Sequence, residues 1–261
     1  MARAQVIPDA YVEAAALIDL GGGWTDTPPY SIERGGTVLN AAINLRGEYP
    51  VVVEATRLAE PRLILESRDI AATLQPRLAG ELMAYANPAD PFALLKAAVV
   101  MHGIVPATAP PDMPLAELLR ATGSGLRLTT RTSIPRGSGL GTSSIMAGAV
   151  LACLAALTGR ELPIAELFAQ VLCLEQMLTT GGGWQDQVGG LTGGLKLVQT
   201  APDLPQQLHV TPLCLEPETA QALAERLVII YTGQQRLAKN LLRAVMGRWM
   251  ARDPEMVWSL R

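Results

Sequence analysis

The sequence predicts an α+β fold, and two observations carry that prediction. Short apolar runs of strand length alternate with segments of helical periodicity, but without a regular strand–helix–strand rhythm, so a doubly wound parallel sheet is not expected. A glycine-rich turn then stands between a strand pattern and the longest apolar run. With 261 residues the chain can bury a sizeable core, as one large domain or two smaller ones.

The elements follow in order. Residues 17 to 60 read as mixed β-structure, with Val38–Ile43 and Tyr49–Val53 as apolar runs separated by a turn at Gly47. Pro91 to Gly103 has helical spacing, with Phe92, Leu95 and Val99 on one face. Four prolines between Val105 and Pro114 predict a surface connection. Leu126 and Leu128 alternate with polar residues up to Thr132, as in a half-buried strand. After the turn at 137–141 an apolar run extends to Leu157, and a second helix is predicted from Ile164 to Leu178. A strand is expected around Leu195–Val198. Leu227–Ile230 reads as a buried strand, and Gln235 to Met250 as a helix.

Charge and cysteine usage exclude several classes. The 21 basic and 24 acidic residues give a formal net charge of −3, with no basic run. Nucleic acid and membrane surfaces favour clustered positive charge, so neither is expected as a partner. Cys153, Cys173 and Cys214 are far apart in apolar surroundings, and His102 and His209 stand alone. A zinc site needs clustered ligands, so the cysteines read as small buried residues in a reducing compartment. The N-terminus lacks the pattern of a signal peptide, and the longest apolar stretch, Ile145 to Leu157, is too short to span a membrane. A cytoplasmic location is therefore expected.

Three glycine-rich elements carry the chemistry. The first is Ile134-Pro-Arg-Gly-Ser-Gly-Leu-Gly-Thr-Ser-Ser144. Glycines let backbone approach an anion closely, and the unpaired N–H groups of a helix start point at it, aided by the helix dipole. No lysine follows the last glycine, so this is not a Walker A loop. A plain strand–turn–helix joint would use glycines too. The second element, within LEQMLTTGGGWQDQVGG, places Glu175 eleven residues before Asp186. Glu175 falls beside Val171 and Leu178 on its helix, where a carboxylate needs a partner such as a divalent cation. A helix-surface glutamate is the plainer alternative. The third, Ile18 to Tyr30, sets Gly23, Trp24 and Asp26 in one turn. An indole wall and an accepting carboxylate suit a sugar, although a tight turn around a buried Trp would look the same.

Taken together, the Pro-x-x-x-Gly-Leu-Gly-Thr-Ser pattern and the strings GGGWTDTPPYSIERGGTVLNAAINL, PFALLKAAVVMHGI, LEQMLTTGGGWQDQVGGLTGG and YTGQQRLAKNLL resemble the GHMP kinase superfamily, and within it the L-fucose kinases. The resemblance covers nearly the whole chain. It implies an N-terminal domain like domain 2 of ribosomal protein S5 over residues 1–200. The start of a ferredoxin-like C-terminal domain over 201–261 is expected to be incomplete. It implies ATP-dependent phosphorylation of L-fucose at the anomeric hydroxyl. Pro135, Gly137, Ser138, Gly139, Leu140, Gly141, Thr142 and Ser143 would hold ATP, and Ser143 with Glu175 would hold Mg²⁺. Asp186 would face the acceptor hydroxyl, and Gly23, Trp24, Asp26, Gly182, Gly183 and Tyr231 would line the sugar pocket.

Two departures temper this. Where fucose kinases carry an arginine two residues before the aspartate matching Asp19, this chain has Leu17. The family's last glycine-rich element, Gly-Ala-Gly-Gly-Gly-Gly, has no counterpart before Arg261, and neither does the guanylyltransferase half of bifunctional relatives. The expectations are then a truncated chain that self-associates or is completed by a partner chain. Its helix carrying Leu237, Leu241, Leu242 and Val245 would be left bare. A kinase for another sugar, such as a heptose phosphate, and an impaired remnant that only binds are the alternatives.

Overall fold

The computed structural model describes residues 8–87, 89–135, 137–179, 181–233 and 238–260. The chain opens with β1 (Ala10–Ala14) and β2 (Ala16–Gly21), which are nearly continuous but join different sheets at Ala15. Then come α1 (Tyr30–Arg34), β3 (Gly36–Ile43), β4 (Val51–Leu58), β5 (Leu63–Ser67), β6 (Ala72–Leu74), α2 (Ala79–Met83), α3 (Ala93–Met101), α4 (Leu115–Thr122) and β7 (Gly125–Thr132). The second half holds α5 (Thr142–Thr158), α6 (Ile164–Met177), α7 (Gln185–Leu191), β8 (Leu195–Thr200), β9 (His209–Pro212), α8 (Pro217–Arg226), α9 (Ala238–Met250) and α10 (Pro254–Ser259).

One sheet has the order β1-β4-β7-β5-β6 and the other β2-β3-β8-β9. The only parallel pair among them is β5 with β7. The α+β class expected from the irregular rhythm is the class observed. α5 packs against β1 and β4, and against α6 and α7. Its sequence is apolar all round, as a helix enclosed on every side should be. Ile145, Leu151 and Leu154 are fully buried in it and centre the main core, with Val51, Val53, Leu65 and Leu128 from the sheet.

Several expectations hold closely: the strands at Val38–Ile43 and Leu126–Thr132, and the helices after Pro91, after Gly141 and from Ile164. The Pro-rich connection lies at the surface, but it is tied down by the carbonyls of Pro111 and Met113, which accept N–H bonds from Gly80 and Ala79. Leu227–Ile230 is a correction. It forms no strand, and Val228 and Ile230 are 75% and 80% exposed. No neighbouring strand among the described residues offers the ladder that an apolar run needs to become one. The bare helix is only partly found: Leu241 is exposed, Leu242 and Val245 are half-buried, and Leu237 lies outside the described residues. Cys153 is buried, but Cys173 and Cys214 are exposed, against expectation. Cys173 sits on α6 between the inward-facing Val171 and Leu174, so its own side chain turns outward. No helix among the described residues is long and apolar enough to cross a membrane.

The C-terminal helices return to the start of the chain. Trp249 stacks edge-on against Tyr30 at 4.8 Å, and Arg252 pairs with Glu33 at 2.7 Å. Tyr30 also donates its hydroxyl proton to the Leu260 carbonyl. These contacts brace the turn that carries Trp24 and Asp26.

The enclosed position of α5 predicts that Leu151→Ala destabilises the chain by roughly 2–5 kcal/mol, because the site has little room to collapse. Urea unfolding followed by circular dichroism measures this. A loss below about 1 kcal/mol would show that α5 is not the centre of the core.

Candidate active site

The loop after β7 is built to leave donors free. Gly137, Gly139 and Gly141 have φ of 72°, 83° and 70°, a left-handed path that side chains rarely tolerate. Gly141 stands at the N-cap of α5 and supplies no capping side chain, so the N–H groups of Thr142, Ser143 and Ser144 keep no partner within the helix. The hydroxyls of Ser138 and Thr142 are buried without a hydrogen-bond partner among the described residues. Two orphan hydroxyls and an uncapped helix start form a donor-rich nest, which fits a phosphate group.

This loop borders an open groove of about 1630 Å³. Pro135, Gly137, Ser138, Gly139 and Leu140 line one wall, and Trp24 and Tyr231 line it as well. Seven of the expected binding residues thus share one groove. The segment Asn44–Arg46 with Glu48, absent from the sequence expectations, lines it too. A hairpin tip facing a distant loop leaves no local signal.

Behind the groove lies a cluster of carboxylates. Asp26 is buried, and its Oδ2 accepts the N–H of Gln185 at 3.0 Å, at the start of α7. That bond clamps Asp26 to the helix of Asp186; an acid expected to contact sugar is therefore engaged with the protein itself. Gly182 and Gly183 thread between the acids. A Cβ at Gly183 would strike Asp26 Oδ2, and one at Gly182 would stand 2.7 Å from Glu175 Oε2. Gly23 approaches Asp19 and Gln185 in the same way. At Gly183 the Asp26 backbone carbonyl also stands 2.6 Å from that Cβ position, so there the crowding requires glycine.

Glu175 is buried, and the hydroxyl of Ser144 donates to its Oε1. Ser143, expected to share Mg²⁺ with Glu175, is exposed, and it is the hydroxyl of its neighbour Ser144 that reaches Glu175. Successive residues on a helix point about 100° apart, so only one of the two serines can face α6. Glu175 is pushed up to about 7, first by burial, with the charge of Asp26 adding to it and the Ser144 bond opposing it. Asp186, half-buried by area, is pushed up to about 8 by burial and then by the charges of Asp26, Glu175 and Asp19. Asp26 is raised too, chiefly by burial, against the pull of the Gln185 N–H. Sequence reading placed Asp186 near Glu175 correctly, but did not count Asp19 and Asp26 as part of one electrostatic unit.

Among the described residues no three His, Cys, Asp or Glu side chains are close enough to hold a metal ion by themselves. The donors here are all oxygen. They suit a hard cation that completes its shell with phosphate and water, as Mg²⁺ does with one or two carboxylates.

The two-sheet α+β fold, with a glycine loop opening an apolar helix and acids beside it, can be set against known proteins. In this chain, residues 113–194 match the family described as "GHMP kinases N terminal domain". The chain is similar to two curated bifunctional proteins. One is the fucokinase/GDP-fucose pyrophosphorylase of Arabidopsis thaliana, 37% identical over 255 residues, covering 96% of this chain and 23% of that protein. The other is the L-fucokinase/L-fucose-1-P guanylyltransferase of Bacteroides fragilis, 40% identical over 231 residues, covering 88% and 24%. The chain thus spans about a quarter of the length of these relatives. Among solved structures, a D-glycero-D-manno-heptose 1-phosphate kinase from Bacteriodes thetaiotaomicron matches with a TM-score of 0.62 at 22% identity, covering 82% of this chain and 63% of that one. Lactococcus lactis galactokinase matches at 0.54 and 17%, covering 93% and 70%. At these identities the structures establish the shared fold.

The raised acids predict a pH dependence. Folded Glu175 and Asp186 keep protons up to about 7 and about 8, against 4.5 and 3.8 ordinarily. Between these limits the folded state binds more protons than the unfolded one, so stability falls as pH rises through that window. Asp186→Asn should therefore raise the urea midpoint at pH 8.5, without cation, and leave it unchanged near pH 3.5. An equal shift at both values would show that Asp186 is not held against its charge.

Proposed function

We propose that this chain transfers the γ-phosphoryl group of ATP to the anomeric hydroxyl of L-fucose. The observation that carries the reading is the juxtaposition of the unpartnered donor loop with the carboxylate cluster, in a chain that is similar over most of its length to two bifunctional fucokinases. The loop N–H groups with Ser138 and Thr142 would cradle the phosphates. Trp24 and Tyr231 would border the sugar, while Asp26, Gly182 and Gly183 would shape the ground beneath it. Glu175 would hold Mg²⁺ from the protein side, with a hydroxyl of Ser143 or Ser144 at the helix start. When bound, the cation supplies positive charge to the transferring phosphate oxygens.

Asp186 would orient the acceptor hydroxyl. The sugar oxygen attacks the γ-phosphorus, the bond to the ADP oxygen breaks, and the hydroxyl proton passes to the Asp186 carboxylate. Phosphoryl transfer asks chiefly for positioning and neutralised charge. The positive charge of bound Mg²⁺ would favour the ionised form of Asp186, and a carboxylate of raised proton affinity is then a better acceptor for that proton than a free one.

A second reading, a chain that binds these ligands but turns over slowly, draws on Leu17. It is 1% exposed and packs against Gly141 and Gly189, where relatives would place a cation among the acids. Loss of one preorganised charge costs about 10²–10³ in rate.

ADP release with L-fucose is the assay. Asp186→Asn should lower turnover by about 10²–10⁴, the range of a proton-transfer group, and chelation by EDTA should abolish it. Leu17→Arg should raise turnover. Wild-type release that ignores L-fucose but follows another sugar would move the reading to that sugar. No nucleotide binding in any variant would end the kinase reading.

A further inference from the structure

The helix that carries Asp186 is only seven residues long, and its far end is held by a cation that the nucleotide and sugar motifs leave out. Lys196, on β8, is 1% exposed and is among the largest fully buried side chains. Its Nζ donates to the carbonyl of Gly189 at 2.9 Å and to that of Gly194 at 3.0 Å. The first carbonyl lies in the last turn of α7, the second in the turn that follows. Burial lowers its pKa to about 8, and no carboxylate charge offsets this. A buried ammonium is costly unless its protons find acceptors. The unpaired carbonyls at a helix C-terminus, the negative end of its dipole, are suitable ones.

Part of the seat of α7 is smooth. Gly189 and Gly190 face β2 and α5 without side chains. A Cβ at Gly189 would come 2.9 Å from the Leu17 Cβ and 3.2 Å from Asn40 Nδ2, and one at Gly190 would come 2.8 Å from the Ala15 carbonyl. Such a surface allows close approach, and the apolar knobs come from Val188, buried with Val38, Phe168 and Val198, and from Leu191, seated in the space left by Gly148. Polar contacts hold the two ends: Asp26 accepts the Gln185 N–H at one end, and Lys196 holds Gly189 at the other.

We propose that Lys196 is a positioning residue: by fixing the C-terminal end of α7, it sets where the Asp186 carboxylate stands relative to the acceptor hydroxyl. This rests on the reading of Asp186 given above. Displacement of a reacting group by about 1 Å costs on the order of 10²-fold in rate.

The test compares the full chain with Lys196→Met, which keeps an apolar stem of similar size but loses the donors, and with Lys196→Gln, which retains a neutral donor. The expected result for the Met variant is a ten- to hundredfold fall in kcat with L-fucose. The Kd for ATP should stay within twofold, because the glycine loop opens α5 rather than α7. Amide hydrogen exchange over 185–191 should quicken at least tenfold while exchange over α5 is unchanged, and the Gln variant should lie between. If the Met variant does not fold, the Gln variant is read by the same measures. Wild-type kcat with unchanged α7 protection overturns the proposal. So does a parallel loss of kcat and ATP affinity, the mark of general loosening. Should wild type show no turnover with any sugar, the kinase reading falls, and exchange over α7 still decides whether Lys196 holds the helix.

Discussion

The seat of α7 is the contact on which the arrangement of the site depends. α7 meets β2, β3 and α5 through bare glycine backbone, and the end of α7 leans on α5 where Gly148 gives room for Leu191. Because α5 also begins at the glycine loop, one small interface joins the donor nest to the carboxylates. A side chain at Gly189 or Gly190 would lift α7 away, and Asp186 and the Gln185 N–H would move with it. Close packing transmits such a shift rather than absorbing it.

That proximity has an electrostatic consequence. Asp26, Glu175 and Asp186 are brought together away from solvent, so burial and one another's charges make all three hold protons more tightly than free acids. The arrangement costs stability at neutral pH and above. Acids raised by burial and by one another are often functional. Here the strain has an evident outlet, because a divalent cation or a transferred proton would relieve the repulsion that the fold imposes. Leu17 sharpens the point: it fills its space well as a hydrophobe, at 1% exposure, but brings no charge of its own to the acids.

The wall made by residues 227–231 shows a different constraint. These residues have the composition of a central strand, yet they stand exposed along the groove, with Tyr231 and Ile230 facing the glycine loop across it. β-structure is not a property of a segment alone, since an apolar run needs a ladder partner and a face to cover. The β9 edge, nearest in sequence, is paired only with β8.

What the sequence by itself determined is local and chemical. Apolar runs marked the strand around Val38 and the helix α5, and periodicity marked the strand around Leu126 and the helices α3 and α6, because a buried face writes itself into residue spacing. The glycine spacing at 137–141 announced a left-handed loop before an apolar helix, and Glu175 was legible as a carboxylate close to an apolar stripe. The tertiary structure alone decided which serine meets Glu175, since a 100° step along α5 separates two adjacent hydroxyls that read identically in sequence. It decided that Asp26 clamps α7, that Asp19 joins the same charge cluster, and that Lys196 is buried beneath it. The first two are contacts between residues far apart in the chain, and no periodicity records them. They exist only once two sheets and α7 have closed on one another, when burial and cross-strand register, rather than residue type, set each group's charge and partners.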